Sequence, residues 1–138
     1  MTEETEEVDL PGEEVDDSDI SQLSTFKNIK SLLLGENLIG NEGVATIASC
    51  LTHVTKLQLN SNRFDSSALC HLGELKQLKV LDLRNNGLGN SSLHFLGKLT
   101  NLVELSLSKN SITDDGVKAL SDLRQLTYLD LTTNAVTE

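Results

Sequence analysis

The sequence predicts an α/β fold of the solenoid type: a right-handed coil of repeated units with a parallel concave sheet and short convex helices. Three observations support this prediction, namely a repeated segment, a change of apolar period inside each repeat and a polar residue at a constant place. The segment begins at Ile29, Val54, Leu78, Leu102 and Leu126, so successive units are 24 or 25 residues long. Repeats of this length bury their apolar side only by stacking on one another.

The first half of each unit is predicted to be a β-strand. Counted from the first residue of the unit, positions 4 and 6 are leucine in all five copies. This alternation has the period of a strand whose leucines point inward. Because the units are wound in the same sense, their strands should lie side by side in one parallel sheet.

In the second half of each unit the apolar period changes to three. Leu93, Leu96 and Leu99 of the unit that begins at Leu78 illustrate the pattern, which places apolar side chains on one face of a short helix. Polar residues stand just before each helix, where they are expected to cap the free N–H groups of its first turn. These residues are Asn41, Asp65 with Ser66, Asn90 with Ser91, and Thr113 with Asp114.

Asparagine recurs at position 9 of every unit. A polar amide within an apolar pattern is costly unless its hydrogen bonds are satisfied. Where the chain leaves the strand, a stacked column of amides can bond the backbone N–H and C=O groups that leave the sheet. The sequence therefore predicts a structural asparagine ladder formed by Asn37, Asn62, Asn86, Asn110 and Asn134.

In these columns the chain resembles the leucine-rich repeat superfamily over residues 29–138. The segments NLIGNEGVATIASCL and NSITDDGVKALSDL are similar to the helix-bearing, ribonuclease-inhibitor-like class with 24-residue repeats and to related bacterial repeats. The resemblance implies a non-catalytic module for protein–protein interaction, although the superfamily serves many unrelated partners. Two alternatives remain: a regulatory or targeting subunit of a phosphatase, GTPase or ubiquitin ligase, or a terminal fragment of a longer repeat array, since the last unit is truncated before any helix.

Residues 1–28 are predicted to form a degenerate, acidic first unit that caps the N-terminal end. Residues 1–19 contain six Glu, four Asp and no Lys or Arg, which is also typical of a disordered tail. The ordered alternative is favoured because the repeat register, extended back to Thr5, places apolar residues at all six core positions. These are Val8, Leu10, Val15, Ile20, Leu23 and Phe26, with a helix near residues 20–26.

The charge distribution limits the possible partners. Outside the acidic end, the remaining 119 residues hold 11 basic and 11 acidic side chains, so neither nucleic acid nor an anionic membrane is an expected partner. No secretory signal or membrane span is visible, and Cys50 and Cys70 suit free thiols in a reducing compartment. We expect a cytoplasmic protein that binds a protein or peptide, with an oligomeric state that the sequence does not indicate.

No catalytic or metal site is indicated by the sequence. Cysteines and histidines lie on the predicted convex side, but their spacing is unlike that of structural zinc sites. These residues are Cys50, His53, Cys70, His71 and His94. A serine nucleophile elbow and a phosphate-binding loop are also missing from the sequence. We therefore expect no enzymatic activity and no cofactor.

The predicted binding surface is the concave strip between the buried leucines. Leu33, Val80 and Tyr128 are apolar side chains on a face that is otherwise polar, which suggests that a partner covers them. For Tyr128, packing against a further repeat is the alternative. Arginine and aromatic residues carry much of the energy of protein interfaces, which favours Arg84 and Tyr128 as anchors. The predicted partner-binding residues are Leu33, Lys56, Val80, Asp82, Arg84, Glu104, Tyr128 and Asp130.

Overall fold

Six stacked units, each containing one three-residue strand, make up the protein in the computed structural model, which describes residues 1–137. The strands are β1 (Glu7–Asp9), β2 (Ser31–Leu33), β3 (Lys56–Gln58), β4 (Val80–Asp82), β5 (Glu104–Ser106) and β6 (Tyr128–Asp130). They form one parallel sheet in chain order. The predicted α/β solenoid is confirmed; Glu138, the end of the predicted last unit, lies outside the described residues.

Leucines of neighbouring strands stand directly beside one another in the core. The parallel register aligns the central residues of the strands in one row, which consists of Val8, Leu32, Leu57, Leu81, Leu105 and Leu129. All of them are buried except Leu129, which is 39% exposed because no described unit covers it. Burial of a leucine side chain stabilises the fold by about 1.5–3 kcal/mol, so the stacked row is a main source of stability.

Short helices form the layer opposite the sheet. They are α1 (Asp17–Leu23), α2 (Asn41–Cys50), α3 (Leu69–Leu72, preceded by the 3-10 turn Ser66–Ala68), α4 (Leu93–Leu96) and α5 (Asp114–Lys118). In the middle units the helix ends before its third predicted apolar residue, yet Leu75 and Leu99 still reach the core. Gly73 and Gly97 end α3 and α4 where a side chain would overlap the backbone oxygens of Phe95 and Ala119 in the next unit.

The acidic first unit has the same order of strand and helix as the others. Strand β1 pairs in parallel with β2, and Val8, Val15, Ile20 and Leu23 are buried, whereas Leu10 and Phe26 are only partly buried. Residues 1–28 therefore contain a strand and a helix that pack on the second unit.

Helix α1 begins and ends three residues earlier than the predicted segment 20–26. Asp16 caps it by accepting hydrogen bonds from the N–H groups of Ser18 at 2.9 Å and Asp19 at 3.1 Å. In return, the Asp19 carboxylate accepts a bond from the Asp16 N–H at 3.0 Å. This reciprocal cap starts the helix at Asp17, so the acidic run stabilises the helix start electrostatically as well.

The asparagine column links each unit to the one before it. Asn86 Nδ2 donates to the Leu59 carbonyl of the preceding unit at 3.0 Å, and Asn86 Oδ1 accepts from the Asn62 N–H at 2.8 Å. Equivalent bonds run from Asn37 to Leu10, Asn62 to Leu34, Asn110 to Leu83 and Asn134 to Leu107. Because the bonds between units reach back, the first unit is held by Asn37 and has Glu13 instead of an asparagine of its own.

A second polar column, at position 13, links each unit to the one after it. Its side-chain oxygen accepts a hydrogen bond from the backbone N–H at position 12 of the next unit. The pairs are Asp17 with Gly40 (2.7 Å), Asn41 with Asp65 (2.9 Å), Ser66 with Gly89 (3.2 Å), Asn90 with Thr113 (3.0 Å) and Asp114 with Thr137 (2.7 Å). We call these residues the forward column and the asparagines the backward column.

The forward column corrects part of the helix-cap prediction. Of the residues expected to cap their own helices, Asp65 does so by accepting a bond from the Ser67 N–H at 2.9 Å. Helices α2, α4 and α5 have no side-chain cap bond. Asn41 and Asn90 bond the following unit instead, because stacking brings a backbone N–H that lies outside the sheet within reach of these side chains.

Every unit turns out of its strand through a residue with a left-handed backbone. The φ angle is 67° at Gly12 and between 54° and 58° at the five equivalent residues, which are Glu36, Ser61, Asn85, Lys109 and Thr133. Left-handed backbone costs an ordinary residue roughly 1–2 kcal/mol. In the last five units the next residue is a ladder asparagine, whose hydrogen bonds to the carbonyls around the turn hold the chain in this conformation.

Replacing Asn86 with alanine is expected to lower the free energy of unfolding by about 1–3 kcal/mol, because backbone groups in two units lose their partner. Urea denaturation monitored by circular dichroism measures the change. Asn101→Ala is the matched control, since that exposed side chain makes one bond, to the Lys76 carbonyl at 2.9 Å. A cost below about 0.5 kcal/mol is expected there. Equal losses in both variants would contradict the structural role of the ladder.

Breaking one bond of the forward column should loosen a single junction between units. Asn90→Ala is expected to speed hydrogen exchange at the Thr113 amide and to cost about 1 kcal/mol. Gly116→Ala should have a similar effect, because the added methyl would overlap the Asn90 side chain. Gly89→Ala is the control, since a methyl there meets no atom within 4 Å. An unchanged rate of hydrogen exchange at the Thr113 amide in Asn90→Ala would argue that the forward column does not hold the units together.

Candidate functional site

The outward side of the sheet carries all eight residues that the sequence predicts for partner binding. We call it the strand face; it consists of positions 3, 5 and 7 of each unit. The register places Lys56, Val80, Glu104 and Tyr128 in one row across neighbouring strands. Leu33, Asp82 and Asp130 lie in the adjacent row, and Arg84 follows β4.

Strand β1 extends the strand face beyond the predicted residues. Glu7 and Asp9 occupy the same two rows as Ser31 and Leu33 of β2, and both acidic side chains are exposed. The repeat register extended back to Thr5 already contains this information, since it assigns both residues to outward positions. The face is therefore acidic at its N-terminal edge.

The apolar residues of the strand face differ in how far they are exposed to solvent. Tyr128 is 52% exposed, so about half of the residue is available to a partner. Leu33 and Val80, which were expected to be exposed like Tyr128, are half-buried between their neighbours on the sheet. Long side chains beside Val80, from Lys56 and Glu104 in the same row, account for its partial cover. Tyr128 is thus the main apolar anchor of the surface.

Asp82 and Arg84 form a fixed ion pair at the centre of the strand face. Arg84 Nη2 lies 2.7 Å from Asp82 Oδ2, and Arg84 Nε lies 2.9 Å from Asp82 Oδ1. These hydrogen bonds and the attraction of the carboxylate raise the pKa of Arg84. The Asp82 side chain is only 9% exposed, whereas that of Arg84 is 46% exposed. Asp82 therefore serves mainly to orient Arg84, which presents its charge to solvent in one orientation.

A second oriented charge lies two strands away. The Asp130 carboxylate accepts hydrogen bonds from the N–H of Thr132 at 3.0 Å and from its hydroxyl at 2.8 Å. These bonds, with a smaller contribution from the positive charge of Arg84, lower the pKa of Asp130. Arg84, Tyr128 and Asp130 therefore combine a cation, an aromatic ring and an anion within one part of the strand face.

A polar groove adjoins this surface at the carboxyl ends of the strands. It encloses about 190 Å³, and its lining alternates between positions 7 and 8 of successive units. The lining residues are Glu36, Asn60, Ser61, Arg84, Asn85, Ser108 and Lys109. Only Arg84 was among the predicted site residues, although the polar character of both positions is visible in the sequence. The groove offers amide, hydroxyl and charged groups to an extended peptide.

Other kinds of site find no support within residues 1–137. No three His, Cys, Asp or Glu side chains there stand close enough to hold a metal ion. In the same part of the chain, no helix has the length and apolar character needed to cross a bilayer. Cys50 and Cys70 are free thiols, each half-buried.

Comparison with known proteins agrees with this fold. A leucine rich repeat family model matches residues 76–136. An internalin, inlF of Listeria monocytogenes, aligns with a TM-score of 0.75 at 26% identity, covering 87% of this chain and 33% of the internalin. Internalin C2 of the same bacterium aligns with a TM-score of 0.65 at 25% identity, covering 96% of this chain and 63% of that one.

A plant receptor is similar as well. The leucine-rich repeat ectodomain of the Arabidopsis receptor kinase HAESA, solved in complex with an N-terminally extended IDA peptide hormone, aligns with a TM-score of 0.67 at 26% identity. The alignment covers 84% of this chain and 20% of the ectodomain. No curated protein sequence matches the chain.

The fold and these matches define a repeat protein of the class whose domains generally serve as non-catalytic scaffolds for protein–protein interaction. The chain is similar to leucine-rich repeat proteins, since its residues 76–136 match the family model and its fold matches the solved structures named above. It spans about a third of the length of the internalin inlF and a fifth of the HAESA ectodomain.

Acid is expected to destabilise the fold through four oriented carboxylates. Hydrogen bonds from the hydroxyl and N–H of a nearby serine or threonine lower the pKa of Asp16, Asp65, Asp114 and Asp130 below the ordinary value of 3.8. A group with a lowered folded pKa stabilises the fold above its unfolded pKa and loses this effect as the pH falls. The free energy of unfolding should therefore decrease below about pH 4.

Urea denaturation at pH 7, 5, 4 and 3 tests this expectation. Thr132→Val, which removes the hydroxyl bonded to Asp130, should show a smaller loss of stability between pH 5 and pH 3 than the unaltered protein. The exposed Thr52→Val is the matched control. An identical pH dependence of stability in all three proteins would show that Asp130 does not contribute to the loss of stability in acid.

Proposed function

We propose that this protein is a non-catalytic interaction module that binds a protein or peptide partner on the β4–β6 part of its strand face. The observation that carries the proposal is the exposed Tyr128 on β6 together with Arg84, an arginine that is already oriented two strands away at the end of β4. Aromatic and arginine side chains dominate the binding energy of many interfaces. Here both are presented by a sheet, which holds them more rigidly than a loop would.

The scaffold supports this role because the surface is organised before a partner arrives. Ordering a flexible side chain on binding costs about 0.5–1.5 kcal/mol. Arg84 avoids part of this cost because two of its nitrogens are already bonded to Asp82. The Asp130 carboxylate is likewise held by Thr132. A partner that meets these groups gains their interactions with little further loss of freedom.

The charges of this surface favour a partner that carries both positive and negative groups as well as an apolar side chain. Arg84 and Lys109 are the cationic groups at this end of the surface, and Glu104 and Asp130 are the anionic ones. This mixture matches a folded protein surface or an extended peptide better than a polyanion such as nucleic acid. The HAESA ectodomain, a structural relative, was solved with a peptide ligand, which makes a peptide a reasonable first candidate. We further propose an intracellular setting, because Cys50 and Cys70 are free thiols, which suits a reducing compartment.

Substitution of the exposed anchors tests the proposal. Tyr128→Ala and Glu104→Lys change side chains that face solvent, so they should leave the fold intact. Each is expected to weaken partner binding about tenfold or more, equivalent to about 1.4 kcal/mol. The measurement is affinity capture from source-cell lysate with a photo-crosslinking residue at position 106, followed by titration of the crosslinked partner.

His71→Ala is the matched control, since His71 is exposed on the opposite, helical side of the molecule. It should bind the same partner as the unaltered protein. Arg84→Ala is unsuitable as a first variant, because it would leave Asp82 buried without its cation. Equal recovery of the partner by the Tyr128, Glu104 and His71 variants would refute binding at the strand face.

A further inference from the structure

A cavity lies at the opposite end of the described chain from Tyr128, on the outer side of the first unit. It encloses about 340 Å³. Its apolar lining consists of Met1, Leu10, Val15, Leu23 and Phe26. The sheet has six strands, so its two ends are five strand spacings apart; at about 4.8 Å per spacing, the groove lies roughly 24 Å from the anchors on β6. We call it the N-terminal groove.

The apolar lining is incompletely covered by the protein itself. In units two to five, the residue at position 6 is fully buried, and the counterparts of Phe26, which are Leu51, Leu75, Leu99 and Leu123, are buried as well. In the first unit Leu10 at position 6 is only partly buried, and so is Phe26. Val15 and Leu23 are buried at the base of the groove. The groove therefore combines a packed floor with two accessible apolar walls, which is the form of a site for an apolar side chain.

The rim of the N-terminal groove is strongly acidic. Glu13 and Asp19 line it directly. They belong to residues 1–19, which contain ten acidic and no basic side chains. Within the described residues, Glu6 is the acidic side chain of this stretch that forms an ion pair, with Lys30 at 3.0 Å, and both side chains are mostly exposed. Most of the acidic charge thus remains available to attract a cation.

We infer that the N-terminal groove binds a basic amphipathic segment of a partner protein, which inserts an apolar side chain between Leu10 and Phe26 and places lysine or arginine beside Glu13. Amphipathic helices dock in this way, with apolar anchors in a groove and charged residues at its rim. The acidic rim would also steer such a segment toward the groove before contact.

The same charge argues against other occupants. A second copy of the chain would bring an identical acidic end against this one, which like-charge repulsion opposes. Nucleic acid and anionic lipid surfaces are repelled for the same reason. A small neutral ligand would fit the cavity but would make no use of the ten acidic groups.

A peptide titration tests the inference on the full chain. The probe is a lysine–leucine amphipathic helix of about 14 residues, and its counterpart has glutamate in place of every lysine. Fluorescence anisotropy should show binding of the lysine peptide and at least tenfold weaker binding of the glutamate peptide. Affinity for the lysine peptide should also fall on the order of tenfold between about 50 mM and about 300 mM salt.

Substitutions locate the binding. Phe26→Ala should weaken binding of the lysine peptide about tenfold, and Glu13→Lys about fivefold at low salt. Asp122→Lys makes the same charge change at an exposed position near the other end and should alter the affinity less than about twofold. Because Phe26→Ala could loosen the first unit, amide chemical-shift changes in the unaltered protein provide a second readout, expected at residues 10–26.

Three results would overturn the inference. Equal affinity for both peptides would show that charge does not contribute to binding. Unchanged affinity in both Phe26→Ala and Glu13→Lys would show that the peptide does not bind in the N-terminal groove. Chemical-shift changes on β4–β6 instead of residues 10–26 would place the peptide on the strand face. Failure here leaves the function proposed for the strand face intact, because Tyr128 and Glu104 take no part in this test.

Discussion

Hydrogen bonding between stacked units is the interaction on which the rest of this structure depends. A three-residue strand and a helix of one or two turns cannot bury their apolar side chains or satisfy their backbone alone. Two polar columns bond these backbone groups, and their bonds run in opposite directions along the solenoid. The backward column of asparagines reaches the preceding unit, whereas the forward column at position 13 reaches the following one. Each inner unit is therefore tied to both neighbours by side chains as well as by strand pairing.

The inward and outward positions of each unit have separate roles, and this explains which residues can bind a partner. Leucine columns and polar columns occupy the inward positions and the turns, so a substitution there disturbs the fold first. Outward positions of the strands are under no such constraint, and they hold the combination of Tyr128, Arg84 and Asp130. Even there, Asp82 is buried and serves to orient Arg84. A rigid solenoid thus presents a surface that can differ between proteins without any change in its interior.

The ends of the solenoid differ because the two columns have opposite directions. Asn37 bonds the backbone at Glu13 and Val15, so the first unit receives bonds from the backward column without contributing an asparagine. That unit can therefore depart from the repeat pattern, and its acidic residues and half-covered Leu10 and Phe26 create the N-terminal groove. At the other end Leu129 is partly exposed, since no described unit packs on it.

The sequence by itself determined the repeat, the parallel strands, the buried leucines and the positions of the asparagines, because each depends on a local period that every unit repeats. It also placed the eight predicted residues on one face, since alternation along a strand decides which side a residue takes. Contacts between units were decided only by the tertiary structure. Asn41 and Asn90 look like helix caps in sequence, but stacking gives each a partner in the next unit. The half-burial of Leu33 and Val80 likewise depends on the strands on either side, which are 24 or 25 residues away in the sequence. The groove beside Phe26 depends on how the strand and helix of the first unit pack together, which no local pattern reports.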